Sequence, residues 1–179
     1  VKSTEAEYQE IIQHCQDLFT KKNQDYGTSW RILRLPSITD QLYIKAQRIR
    51  TIQEKGQQKV EDAIAGEFIG LINYSVMALI QIELLDTTEP ESDLSQAYSQ
   101  VVLEVQELLF NKNHDYGEAW RAMRISSMTD IILMKLLRIK QIEDNHGVTL
   151  VSEGVKAGYQ DIINYSVFCL IQSNALQTN

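Results

Sequence analysis

The stretch KKNQDYGTSWRILR (residues 21–34) reappears as NKNHDYGEAWRAMR (residues 111–124), and this pair governs how the rest of the chain is read. Asp25, Tyr26, Gly27, Trp30, Arg31 and Arg34 each have a partner ninety positions on: Asp115, Tyr116, Gly117, Trp120, Arg121 and Arg124. Working outward, Tyr8 matches Tyr98, Ser37–Asp40 matches Ser127–Asp130, Lys45 matches Lys135, and Arg48–Ile49 matches Arg138–Ile139. After one inserted residue, Ile72–Val76 (INYSV) matches Ile163–Val167. Self-similarity at a fixed period marks a tandem duplication, one supersecondary unit used twice. The acidic, turn-rich segment LDTTEPESD (residues 85–93) holds one of only two prolines and sets a boundary near residue 88, giving units 1–88 and 89–179.

Each unit reads as three helices. Ile11, Ile12, Cys15, Leu18 and Phe19 recur at helical spacing, which predicts a first helix over about residues 4–22 that ends at the DYG turn. Gly27 and Gly117 there are expected to take a positive φ, and a loop or short helical turn follows with the Trp and two Arg. A second helix is expected from Ser37 or Thr39, either able to cap it, to about Glu54, and its copy from Ser127 to Asp144. The third helices, about residues 58–84 and 150–175, are apolar on more than one side. Strand-like alternation is nowhere sustained. The chain is therefore expected to be all-α, two three-helix units packed on each other as a pseudo-two-fold bundle, a homodimer imitated by one chain.

The formal charge of −7 argues against duplex nucleic acid or an anionic membrane as partner, because both require an excess of Lys and Arg on one surface. Cys15 and Cys169 sit in apolar periodic segments without metal-ligand spacing, as buried thiols of a reducing compartment do. Neither a basic-then-apolar leader nor an apolar run of about eighteen residues is present, so the reading is cytoplasmic. The three histidines do not correspond between the halves, which removes a zinc pattern, and P-loop, dinucleotide and hydrolase-elbow motifs are absent.

Lys45 and Arg48 lie at i and i+3 on the second helix, as do Lys135 and Arg138, and Arg31 and Arg34 share that spacing after Trp30. They are either a solvated face with salt bridges to Asp25 and Asp40 or a set of phosphate ligands. Trp30 and Tyr26 either stack on a base or plug the turn. Asn73 and Asn164, each inside an apolar helix, must find a partner across the interface or face a ligand. Aligned on INYSV, Glu67 opposes Gly158 while Gly70 opposes Asp161, so one Glu-x-x-Asp pattern is split between the halves. Carboxylates at i and i+3 suit magnesium when substrate phosphates complete the shell; the alternative is close helix packing at Gly66/Gly70 and Gly154/Gly158.

The series K-N-x-D-Y-G-x-x-W-R-x-x-R, S-x-T-D, K-x-x-R-I and I-N-Y-S-V resembles the nucleotide modification associated domain 1 family, over nearly the whole chain and twice. More distantly it resembles the all-α nucleoside triphosphate pyrophosphatases of the MazG and dimeric dUTPase type. That resemblance implies a MazG-like helical fold and a magnesium-dependent pyrophosphohydrolase acting on a nucleoside or deoxynucleoside triphosphate. Glu67 and Asp161 would be catalytic and, with Glu153 and Asp62, would hold magnesium. Lys45, Arg48, Lys135 and Arg138 would hold phosphate, although Lys45 and Arg48 stand where that superfamily has further glutamates. Asp25, Tyr26, Trp30, Arg31, Arg34 and Asn73, with Asp115, Tyr116, Trp120, Arg121, Arg124 and Asn164, would line the ligand, each DYG-to-Arg copy forming one wall of a pocket between the halves. The alternative is a non-catalytic nucleotide-binding or protein-interaction module with a decayed metal site. A nucleotide is the expected partner, and association into a homo-oligomer is left open.

Overall fold

The computed structural model describes residues 2–56, 61–85, 93–116, 118–150 and 154–176, without the side chains of residues 61, 62, 85 and 112–116. Helix α1 (Thr4–Tyr26) starts where the Ser3 hydroxyl accepts from the Ala6 N–H at 3.2 Å, with Glu5 and Glu7 in the positive first turn. It ends at Gly27, whose φ of 64° is open to glycine and strained for other residues. A 3-10 turn (Ser29–Ile32), α2 (Leu35–Lys55) and α3 (Glu61–Leu85) complete the first half. The second half repeats the order as α4 (Leu94–Tyr116), a 3-10 turn (Ala119–Ala122), α5 (Ile125–Asp144) and α6 (Val155–Ser173). Among the described residues there is no strand.

Four boundaries differ from the sequence expectation. Helix α1 runs on through Asp25 and Tyr26, so these residues form its last turn rather than a loop. Helix α2 starts at Leu35 behind Arg34, which makes no side-chain cap; Pro36 in the first turn lacks the N–H that a cap would satisfy. Ser37 and Thr39 are therefore inside the helix, and Thr39 is fully buried. Its copy α5 likewise begins at Ile125, ahead of Ser127, and α6 is shorter than expected, with Leu150 97% exposed outside it. The boundary near residue 88 and Gly117 lie outside the described residues.

The two halves share one core. Helix α3 packs chiefly on α6 and α2, α6 on α5, and α2 on α5, while α1 packs on α6 of the other half as well as on α3 of its own. Ion pairs Asp40–Lys140 (3.2 Å) and Arg50–Asp130 (3.6 Å) show that α2 and α5 run antiparallel. The Tyr8 hydroxyl donates to Asn164 Oδ1 and the Tyr98 hydroxyl to Asn73 Oδ1, both at 2.7 Å. These reciprocal bonds between matching residues define the pseudo-two-fold relation. Asn73 also donates to the Cys15 carbonyl at 3.0 Å, so this buried amide is satisfied within the fold.

By length and composition α3 could cross a membrane, with a mean hydropathy of 1.7 over Ala63–Leu84, because its polar residues are diluted among apolar ones. Most of that stretch is buried inside this bundle, as expected of a central helix. Cys15 and Cys169 are free and buried, and burial pushes the Cys15 thiol up to about 12.

Candidate functional site

The first DYG stretch opens a cavity of about 360 Å³. Lys22, Asn23 and Tyr26 from the end of α1, Trp30 from the 3-10 turn, Lys45 from α2, and Gly66, Gly70, Tyr74 and Met77 from α3 line it. Gln81 fixes the 3-10 turn from α3 by donating to the Arg31 and Leu33 carbonyls at 2.9 and 2.8 Å. The turn thus folds back on the third helix of its own half. The expected pocket lay between the halves, whereas the described lining residues of this cavity all belong to the first. A cavity that α1 does form with α6, about 340 Å³, is lined by Glu7, Glu10, His14 and Asp17 and uses neither repeated stretch.

Within the cavity Lys45 lies across Gly70, where an added Cβ would come within 3.0 Å of its stem. Its ammonium is 5.2 Å from the Tyr74 ring centre and 3.7 Å from Glu67. Tyr26 stands at the rim, 73% exposed, and Trp30 is half-buried 6.0 Å from Phe19.

Among the described residues, the matching place in the second half is narrower, and the counterparts of Lys22, Asn23, Tyr26 and Gly27 lie outside them. There Leu108, Leu109, Gln160, Asp161, Asn164, Tyr165 and Phe168 enclose only about 130 Å³. Phe168, at the position of Met77, stacks on Trp120 with centroids 4.3 Å apart and planes 6° apart. Asp161 replaces Gly70 and binds Lys135 at 2.8 Å. Gln172 ties the second 3-10 turn as Gln81 ties the first, donating to the Trp120 and Met123 carbonyls. The 3-10 turn is thus held in the same way in both halves.

The remaining candidate residues divide clearly. Glu67 accepts from Arg48 at 3.0 Å and faces Lys45, so the first-half cations are held by a carboxylate, though neither Asp25 nor Asp40 supplies it. Arg121 binds Glu118 and Glu7 at 2.9 and 3.0 Å and lies 4.4 Å from the Trp120 ring centre, tying the halves together. Desolvation lowers the Arg121 pKa, but its hydrogen bonds to Glu118 and Glu7 outweigh this and raise it. Arg31 lies 5.8 Å from the Trp30 ring centre. Arg34, Arg124 and Asp25 are exposed at helix ends. Asn164 is held by Tyr8 and also borders the small second-half cavity.

Glu67 and Asp161, which a shared magnesium site would join, are each bound to cations of their own half. Among the described residues no group of three His, Cys, Asp or Glu side chains could hold a metal. This bears on Glu67 and Asp161 alone among the four expected magnesium ligands. The Asp62, Glu153, Asp115 and Tyr116 side chains lie outside the described residues. Lys22, Asn23, Tyr74 and Met77 line the open cavity without having been singled out from the sequence. The signal for Met77 was present: comparing the repeats at 77 and 168 pairs a flexible thioether with a ring.

No curated protein and no solved structure matches the chain. The family model for nucleotide modification associated domain 1 does match, at residues 22–82 and again at 112–173. Each match runs from the last turn of a first helix to the end of a third, so each covers one copy of the elements that build the cavity. Matched over more than half its length, the chain belongs to the nucleotide modification associated domain 1 family, in two tandem copies.

Proposed function

We propose that the chain binds a nucleotide whose base stacks on Trp30 in the first-half cavity. One observation carries this reading: the second copy has an aromatic ring, Phe168, stacked flat on its tryptophan, where the first copy has Met77 and open space. The scaffold thus accepts a planar ring against the indole, and in the first half that ring can come from a ligand. Lys22 and Lys45 supply charge for phosphate, Asn23 supplies an amide for a base edge, and Tyr26 covers the mouth. The volume of about 360 Å³ is within the usual range for small-molecule sites. Glu67 and Asp161, two of the carboxylates that hydrolysis would use, are bound to cations in separate halves, and the proposal is accordingly one of binding.

The decisive variant is Met77→Phe, which copies the second half and fills the cavity with a ring the fold already accommodates. Base stacking contributes about 1–3 kcal/mol, so the change should weaken binding by about fivefold or more. In a thermal-shift screen of the common ribo- and deoxynucleoside triphosphates, ligands should raise the melting temperature of the wild type and not of Met77→Phe. Equal stabilisation of both proteins would refute the stacking site.

A further inference from the structure

The largest cavity described, about 560 Å³, lies elsewhere, in a groove between α5 and α6 of the second half. Lys135, Arg138 and Gln141 from α5, Gly158 and Asp161 from α6, and Gly154 just ahead of α6 border it. The first half provides an internal control. There Glu67 stands at the position of Gly158 and binds the guanidinium of Arg48.

In the second half the carboxylate has moved one helical turn, to Asp161, where it binds Lys135. Both halves carry two cations and one carboxylate here, so total charge does not distinguish them; placement does. Arg138 is left exposed, and among the described residues no carboxylate is within ion-pairing distance of it. Gly158 supplies the missing volume: Ile139 fits so closely against it that an added Cβ would fall 2.8 Å from the Ile139 side chain. A carboxylate at that position would need the room Ile139 now takes.

We infer that this groove is a separate oxyanion site, suited to a phosphate-type anion gripped by Arg138. The guanidinium offers a planar fork of donors matched to phosphate oxygens, and the Gln141 amide lies one turn further along the same helix. Lys135, shared with Asp161, adds positive charge at the far end, while Asp161 limits how deep an anion can sit. The site does not depend on the Trp30 cavity, because no residue lines both.

The test is a titration of the full chain with inorganic phosphate and pyrophosphate, followed by chemical shifts of the Gly158 and Arg138 amides. Arg138→Ala should weaken binding about tenfold or more with the unliganded melting temperature unchanged, since this side chain has no described partner to lose. Arg48→Ala, which removes the matching cation already held by Glu67, should leave the affinity within about twofold of wild type. Met77→Phe should bind pyrophosphate as the wild type does, which separates this site from the stacking site. A nucleoside triphosphate that binds Met77→Phe with the same Arg138 dependence would make a nucleotide tail the anion's source. Pyrophosphate binding without triphosphate binding would make it a free anion, and either result supports the site. Equal losses in Arg48→Ala and Arg138→Ala, or no shifts at Gly158 and Arg138 at millimolar anion, would overturn it.

Discussion

Glu143 and Gln53 occupy matching positions near the ends of α5 and α2, and the difference of one amide sets up a pH dependence. Gln53 donates to the Thr129 hydroxyl at 3.1 Å, which donates onward to the Ile125 carbonyl. Opposite, Thr39 is engaged with the Tyr159 hydroxyl at 2.7 Å, and both buried Glu143 oxygens are without a hydrogen-bond partner among the described residues. Burial, with Asp40 and Asp144 nearby, raises the Glu143 pKa above its ordinary 4.5, against the pull of Thr39 and Lys140. A carboxyl whose pKa is raised by folding binds its proton more tightly in the folded state. Its contribution is complete below about pH 4.5 and is lost as pH rises through the folded value. Glu143→Gln, which copies the other half, should remove that loss. Chemical denaturation from pH 4 to 8 should show the variant gaining on wild type as pH rises, and parallel pH profiles would contradict the assignment. The sequence could pair Glu143 with Gln53, but not reveal the burial that gives the pairing its effect.

At the scale of elements, the reciprocal tyrosine–asparagine bonds hold α1 and α4 to the third helices of the opposite halves. They are not equally buried. Asn73 is buried and bonded at both its nitrogen and its oxygen, while Asn164 is half-buried beside a cavity, where water can replace a lost donor. Tyr98→Phe should therefore cost about 1–3 kcal/mol in urea denaturation and Tyr8→Phe distinctly less. Equal costs, or a larger one for Tyr8→Phe, would contradict this account. Helix number and order were legible because apolar periodicity and the repeat act locally. The exact ends were less so, since a capping pattern at Ser37 or Thr39 is indistinguishable in sequence from a helix begun earlier behind Pro36.

At the scale of the whole molecule, the halves form one body. A fragment of residues 1–88 would expose the faces of α1, α2 and α3 now covered by the second half, and should self-associate or aggregate. Sedimentation of a stable, cooperatively folding monomer of that fragment would contradict the shared core. The duplication was plain from sequence, as was the swap of Glu67/Gly158 and Gly70/Asp161. That swap suggested one metal site divided between halves. In three dimensions each carboxylate turns to the cations beside it, because the third helix of each half faces its own second helix. Among the described residues, the halves diverge beside each tryptophan, where Phe168 stacks on Trp120 and Met77 borders a cavity, a packing difference that a linear comparison does not display.

The two indole N–H groups of Trp30 and Trp120 give the most direct measurement, as two assignable signals in a nitrogen–proton correlation spectrum. Titrating the full chain with a nucleoside triphosphate should move the Trp30 signal in a saturable manner with one site per chain, and leave Trp120, already covered by Phe168, essentially where it was. Equal movement of both signals, or of neither at saturating ligand, would contradict the proposed stacking site beside Trp30.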